Sequence, residues 1–167
     1  DLFSCGDDNK IFRWNLLNLN DPPVPATVPA EIPDAFRSLA FTKNGGWLAS
    51  GTTSGKILVW KENEIQNPPA ILNAHSSIVN DLEGDPQSQR FFSCATDGCL
   101  LMWTFEKGTF VKTTLDSVAG NIRCLAVSPD GNQVIYALES GAVRLATTGK
   151  MRSTPVTLRN QQSPVLS

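Results

Sequence analysis

Histidine is almost missing from this chain: His75 is the only one in 167 residues. That excludes a metal centre or acid–base machinery built on several imidazoles. The four cysteines, Cys5, Cys94, Cys99 and Cys124, include no pair in C-x-x-C spacing, so a Cys/His zinc site is not supported either. Each lies in an apolar, strand-like run and is read as a reduced core thiol, which points to a cytoplasmic compartment. No apolar run approaches the roughly 18 residues of a bilayer-spanning helix, so a membrane is not an expected partner. An excess of charge of one sign is also missing. Fourteen Lys and Arg face sixteen Asp and Glu, interspersed, with a net charge of −2. A chain without a basic field is a poor default ligand for nucleic acid. The locally basic stretch of Arg144, Lys150, Arg152 and Arg159 is read as solvated charge.

One stretch, SGTTSGKILVW at 50–60, has the look of a phosphate-binding loop. Such a loop needs four residues between Gly and Gly-Lys, then a hydroxyl for magnesium. Gly51 and Gly55 enclose only three residues, and Ile57 follows Lys56. The loop should also open a helix whose free N–H groups hold phosphate. The segment after Gly55, KILVW, is instead β-branched and aromatic and suits a strand. The stretch is therefore expected to be a hairpin, and no nucleotide or other cofactor is expected.

What the chain does have is a repeat. Four segments align: FSCGDDNKIFRWN (3–15), ASGTTSGKILVWK (49–61), FSCATDGCLLMWT (92–104) and IYALESGAVRLAT (135–147). Their last column carries Trp14, Trp60, Trp103 and Ala146, spaced by 46, 43 and 43 residues. An apolar run precedes each of the last three hairpins (36–41, 78–84, 122–128), and a more polar run comes after all four (24–30, 69–75, 109–115, 153–159). Turn residues separate the runs: TKNGG, DPQSQR and SPDGNQ on one side, DDNK, TSGK, TDGC and ESGA on the other. Four short strands in a period of about 40 to 45 residues, without helical periodicity, predict a blade of a β-propeller. The units are expected at 1–32, 33–75, 76–118 and 119–162, with 163–167 beginning the next.

At these columns the sequence resembles the WD-repeat family. The third unit carries the fullest pattern, with His75, Ser93, Asp97 and Trp103. The resemblance implies that these four form one hydrogen-bonded chain, which would give the single histidine a structural role. The first unit keeps Ser4, Asp8 and Trp14. The second has Ser50 and Trp60, but Ser54 replaces the aspartate and no histidine precedes it. The fourth has Tyr136, Ser140 and Ala146, so its network is expected to be gone.

The fold expected is all-β: a WD-repeat β-propeller of about four four-stranded antiparallel blades, as a fragment of a larger ring of about seven or more. No Gly-x-Ser-x-Gly elbow is present, and Asp7, Asp8, Asp97 and Asp130 stand at turns, where Asp bonds to backbone. The resemblance implies a non-enzymatic scaffold that holds other proteins or peptides on the loops of one rim. Arg37 and Arg123, each beside a loop entering a first strand, are the candidate anchors. One rival is a regulatory or sensor propeller tail of a larger multidomain signalling protein. The other is a propeller enzyme with its active site in the channel, for which the innermost strands offer only Arg37, Asp81, Glu83 and Arg123.

Overall fold

Thr52 explains why residues 50–60 turn back on themselves. Its hydroxyl accepts the Lys56 N–H at 3.0 Å and reaches the Lys56 carbonyl at 3.1 Å, closing the turn from inside. Gly55 supplies the positive φ of 88° that the turn requires, and a β-carbon there would meet the His75 carbonyl oxygen at 2.4 Å. The result is a two-stranded hairpin, β5 (Trp47–Thr52) and β6 (Lys56–Lys61), with Lys56 already inside its second strand.

The computed structural model describes residues 1–42, 46–149 and 154–160. Its strands form four antiparallel sheets, each connected in simple sequence order. The first has three strands: β1 (Leu2–Cys5), β2 (Ile11–Trp14) and β3 (Val24–Pro25). The second adds β4 (Phe36–Thr42) and β7 (Ala70–Asn73) around the hairpin. The third comprises β8 (Val79–Gly84), β9 (Arg90–Ala95), β10 (Cys99–Glu106) and β11 (Thr109–Ser117). The fourth comprises β12 (Ile122–Val127), β13 (Gln133–Leu138), β14 (Ala142–Thr147) and β15 (Val156–Asn160). The expected start of a next unit at 163–167 lies outside the described residues. Among the described residues one 3₁₀ turn, Glu62–Glu64, is the helical element, and no helix is long and apolar enough to cross a membrane.

The 43-residue period is also a period in register. Trp60 stands opposite Leu48, Trp103 opposite Phe91 and Ala146 opposite Val134. The cores lie between consecutive sheets rather than inside any one of them. Ile11, Phe36, Leu48 and Trp60 fill the first junction; Ile57, Val79, Phe91 and Trp103 the second; Phe92, Leu100, Ile122 and Tyr136 the third. A central strand is thus covered on both faces, so β9 (RFFSCA) reads as a continuous apolar run and not as an alternation. Repeats that cannot bury their faces alone acquire a core by stacking.

One irregularity also recurs. The pairing of each inner strand with its neighbour skips a residue near its start, at 37 in β4, at 80 in β8 and at 123 in β12. A bulge of this kind re-aims the side chain it carries. Arg37, Asn80 and Arg123 therefore occupy equivalent positions on three blades, at the end that also carries the 53–55, 96–98 and 139–141 turns.

Candidate functional site

The third blade brings four distant side chains into one line. Trp103 on β10 donates its indole N–H to the Ser93 hydroxyl at 3.0 Å, and Ser93 Oγ lies 2.8 Å from His75 Nε2. His75 Nδ1 lies 3.1 and 3.2 Å from the two Asp97 oxygens. Asp97 also accepts the backbone N–H groups of Ser76 (2.9 Å) and Cys99 (3.0 Å). The donors run in one direction only if the imidazole is neutral. It then donates from Nδ1 to the carboxylate and accepts the Ser93 proton at Nε2.

Ser, His and Asp in this order are the groups of a nucleophilic triad. Access separates the two cases. Ser93 is completely buried, its oxygen already holds the Trp103 proton, and it lines none of the main clefts among the described residues. The His75 side chain is also fully buried. A nucleophile must meet a substrate carbonyl; this hydroxyl meets only protein. The chain ties the loop before β8, the middle of β9, the β9–β10 turn and β10 together.

Burial holds His75 below the ordinary imidazole range, outweighing the pull of Asp97 toward the charged form. Burial works to raise Asp97, but the Cys99 and Ser76 N–H groups and His75 together hold its carboxyl below the usual range. Because the fold binds the imidazole proton less tightly than the unfolded chain, stability is complete above a pH of about 6.5 and falls as pH drops through that value. Burial raises Asp81 and Glu83 instead, and these two contribute in the opposite sense on acidification. Subtracting a His75→Asn variant isolates the histidine: melting temperatures between about pH 7.5 and 5 are expected to fall more steeply for the wild type than for the variant. Parallel curves would show that the imidazole is not held neutral.

The other blades place the same columns differently. In the first, Trp14 donates to Ser4 at 2.9 Å, while Asp8 stands apart and accepts the Lys10 N–H at 3.3 Å. In the second, Ser50 and Trp60 do not meet. Ser50 bonds to the Ser38 carbonyl, and Trp60 reaches back to the Thr27 carbonyl of the first blade at 3.0 Å. The histidine column holds the buried Ile32 and, in the fourth blade, Val118. The fourth blade, expected to have lost its network, has a different one. The Tyr136 hydroxyl donates to Asp116 on β11 of the preceding blade, and Asp116 pairs with Arg144 at 2.7 Å. Arg144, read from the sequence as solvated charge, is thus committed to a junction between blades.

Removal of Asp97 is expected to cost about 1–3 kcal/mol, because the Ser76 and Cys99 N–H groups and the imidazole lose their acceptor. Ser140→Ala, at the equivalent turn of the fourth blade, should shift the urea midpoint far less. Equal shifts would remove the distinction between the two turns.

A second site lies on the rim. Arg37, Ile78, Asn80 and Arg123 line one cleft of about 350 Å³, so the two candidate anchors share a single site. Arg37 Nε is 3.9 Å from Asp7, with both side chains at least half exposed. Arg123 donates to Glu139 at 2.5 Å, and its guanidinium with the Asn121 amide holds the Glu139 carboxyl below the usual range. Asn80 passed unnoticed in the sequence. It donates to Asn121 Oδ1 at 2.6 Å and to the Ile122 carbonyl at 2.7 Å, tying the third blade to the fourth. The signal for it was available, since 80 lies midway between 37 and 123 in the 43-residue period.

Residues 29–61 and 66–104 match the family model described as WD domain, G-beta repeat. Polyadenylation factor subunit 2 of Candida albicans is 26% identical over 114 residues, covering 67% of this chain and 20% of that protein. The human U3 small nucleolar RNA-associated protein 4 homolog is 24% identical over 114 residues, covering 68% and 16%. Mouse Striatin-4 is 24% identical over 185 residues, covering 92% and 24%. Among solved structures, the RRP9 WD40 repeats superpose with a TM-score of 0.80 at 20% identity, over 98% of this chain and 48% of that one. This chain thus spans about half the length of that solved structure and a quarter or less of those curated relatives. Residues 29–61 and 66–104 thus carry two WD repeats, and nearly the whole chain superposes on a WD40 fold: the chain has the fold of a WD40 β-propeller.

Proposed function

We propose that the chain is a non-enzymatic scaffold that docks other proteins or peptides at the Arg37–Arg123 rim. The observation that carries this reading is the cleft itself. Three successive blades contribute the same bulged position to one surface recess, backed by a hydrogen-bonded frame of Asn80, Asn121 and Glu139. A rigid wall with arginines beside an apolar contact is the composition of an interface hot spot. Against an enzyme stands the enclosure of the Ser93–His75–Asp97 chain, which has no room for a substrate. Against nucleic acid stand the net charge of −2 and the carboxylates Asp7 and Glu139 beside the rim arginines. The relative whose name includes small nucleolar RNA carries that association as its own. A cytoplasmic location is proposed with this reading, in which the four cysteines are free thiols.

The test is a pull-down with the full-length protein, comparing wild type with an Arg37→Ala, Arg123→Ala double variant of unchanged melting temperature. Loss of captured partners is expected. Retention of every one of them would remove the arginines as anchors.

A further inference from the structure

Resting on the reading of this rim as the docking face, we propose that the cleft recognises a carboxylate side chain, an Asp or Glu beside an apolar residue in a peptide segment. Hydrogen-bond supply in the cleft exceeds demand. A guanidinium has five N–H donors. Among the described residues Arg123 spends one, on Glu139, and the Arg37 guanidinium has no hydrogen bond to protein, only the long ion pair with Asp7. The 3.9 Å pair between Arg37 and Asp7 is exposed and solvated, so it holds that side chain only weakly. Among the described residues no acidic group lines the recess, although Asp7 and Glu139 pair with its arginines. The occupant is therefore an acceptor, and a planar carboxylate matches the guanidinium fork.

Asp7 and Glu139 also decide which anion. They already offset part of the arginine charge, so a singly charged carboxylate meets a cleft that a phosphate dianion would meet with added repulsion from Glu139. Ile78, which lines the same cleft as the two cations, offers the contact for an adjoining apolar side chain. Asn80 is fully engaged by Asn121, Ile122 and Thr96, so it acts as a fixed wall rather than a reader.

Fluorescein-labelled peptides containing Leu-Glu-Leu, Leu-Gln-Leu and Leu-phosphoserine-Leu, titrated into the full-length protein and followed by anisotropy, test this. The glutamate peptide is expected to bind about tenfold tighter than the glutamine peptide, the scale of a charge-assisted hydrogen bond. That preference should disappear in Arg37→Ala and in Arg123→Ala, and persist in part in Arg37→Lys. Equal binding of glutamate and glutamine, or no binding of either, would overturn the proposal, and tighter binding of phosphoserine would replace carboxylate by phosphate. Hydrogen exchange on the protein with a retained partner separates the two levels. Protection at 76–80 and 121–123 without a glutamate preference leaves the docking face standing and removes the carboxylate; absence of protection there removes both.

Discussion

Replacing Asp85 by alanine is expected to lower the unfolding free energy by about 3–5 kcal/mol, the scale of an orphaned buried charge. Asp85 directly follows β8 and is completely buried. One of its oxygens takes the Arg90 Nε–H at 2.7 Å and the Ser88 hydroxyl at 2.7 Å; the other takes the Gln87 N–H at 2.8 Å. Arg90 Nη2 closes the ion pair at 2.5 Å and donates to the Gly131 carbonyl of the next blade at 3.1 Å. That carbonyl also accepts the Thr148 hydroxyl at 2.6 Å, and the Gln87 amide reaches Pro129 across the same junction. Without the carboxylate, a largely buried guanidinium keeps its charge and loses its counter-ion, and the clip between the third and fourth blades opens. Burial alone would raise this carboxyl. Ser88, the Gln87 N–H and Arg90 outweigh burial and hold it below the ordinary range. A depressed folded value means that its stabilisation is present above the ordinary carboxylate pKa and is lost as pH falls through the folded one. Asp130, which braces the corresponding turn of the fourth blade from an exposed position, is the control. Urea unfolding that gives Asp85→Ala and Asp130→Ala similar midpoints would sink the account.

The fold was legible because its information is local and periodic: a turn dipeptide, a β-branched run and a tryptophan column return at nearly fixed spacing. The His75–Ser93–Asp97–Trp103 line was legible for the same reason, since all four belong to one unit. Contacts between units were not. In DPQSQR the turn was evident, but the sequence did not show that Asp85 and Arg90 close on each other and on Gly131. In the structure Asp81 and Glu83, named from the sequence only as what the innermost strands could offer a channel enzyme, accept the Leu125 and Val127 N–H groups at 3.0 and 2.9 Å, so the third blade's inner strand caps the edge of the fourth's. Tyr136 was read as a lost serine, whereas its hydroxyl finds Asp116 one blade earlier. Trp60 kept its column and changed its partner, because Thr27 of the first blade offered a carbonyl where Ser50 had turned to Ser38. Each miss is a polar group satisfied across a junction, and neither periodicity nor propensity carries that register.

Gly84→Ala is expected to cost about 3 kcal/mol, at the upper end of overpacking, through a backbone that cannot step aside. Gly84 ends β8, and a β-carbon on it would lie 2.0 Å from the Phe41 carbonyl oxygen, 2.8 Å from the Phe41 carbonyl carbon and 3.4 Å from the Thr42 Cα. All three atoms belong to the main chain of β4, so no side-chain rotation relieves the contact. The inner strands of the second and third blades would have to move apart. Gly51 makes a useful contrast, since its nearest neighbour is a Val79 side-chain methyl at 2.5 Å. Gly108 is the stricter control, with a positive φ of 86° and nothing within 4 Å of its would-be β-carbon. Alanine there carries only the left-handed backbone penalty of about 1–2 kcal/mol. β4 carries Arg37 and β8 carries Asn80, so the spacing of these two strands also bears on the rim cleft that both line. Loss of partner capture by Gly84→Ala, at a temperature where the variant is still folded, should therefore accompany its lower urea midpoint. A Gly84→Ala midpoint equal to that of Gly108→Ala would mean that the two inner strands are not in backbone contact, and the geometry assigned to this junction would fall with it.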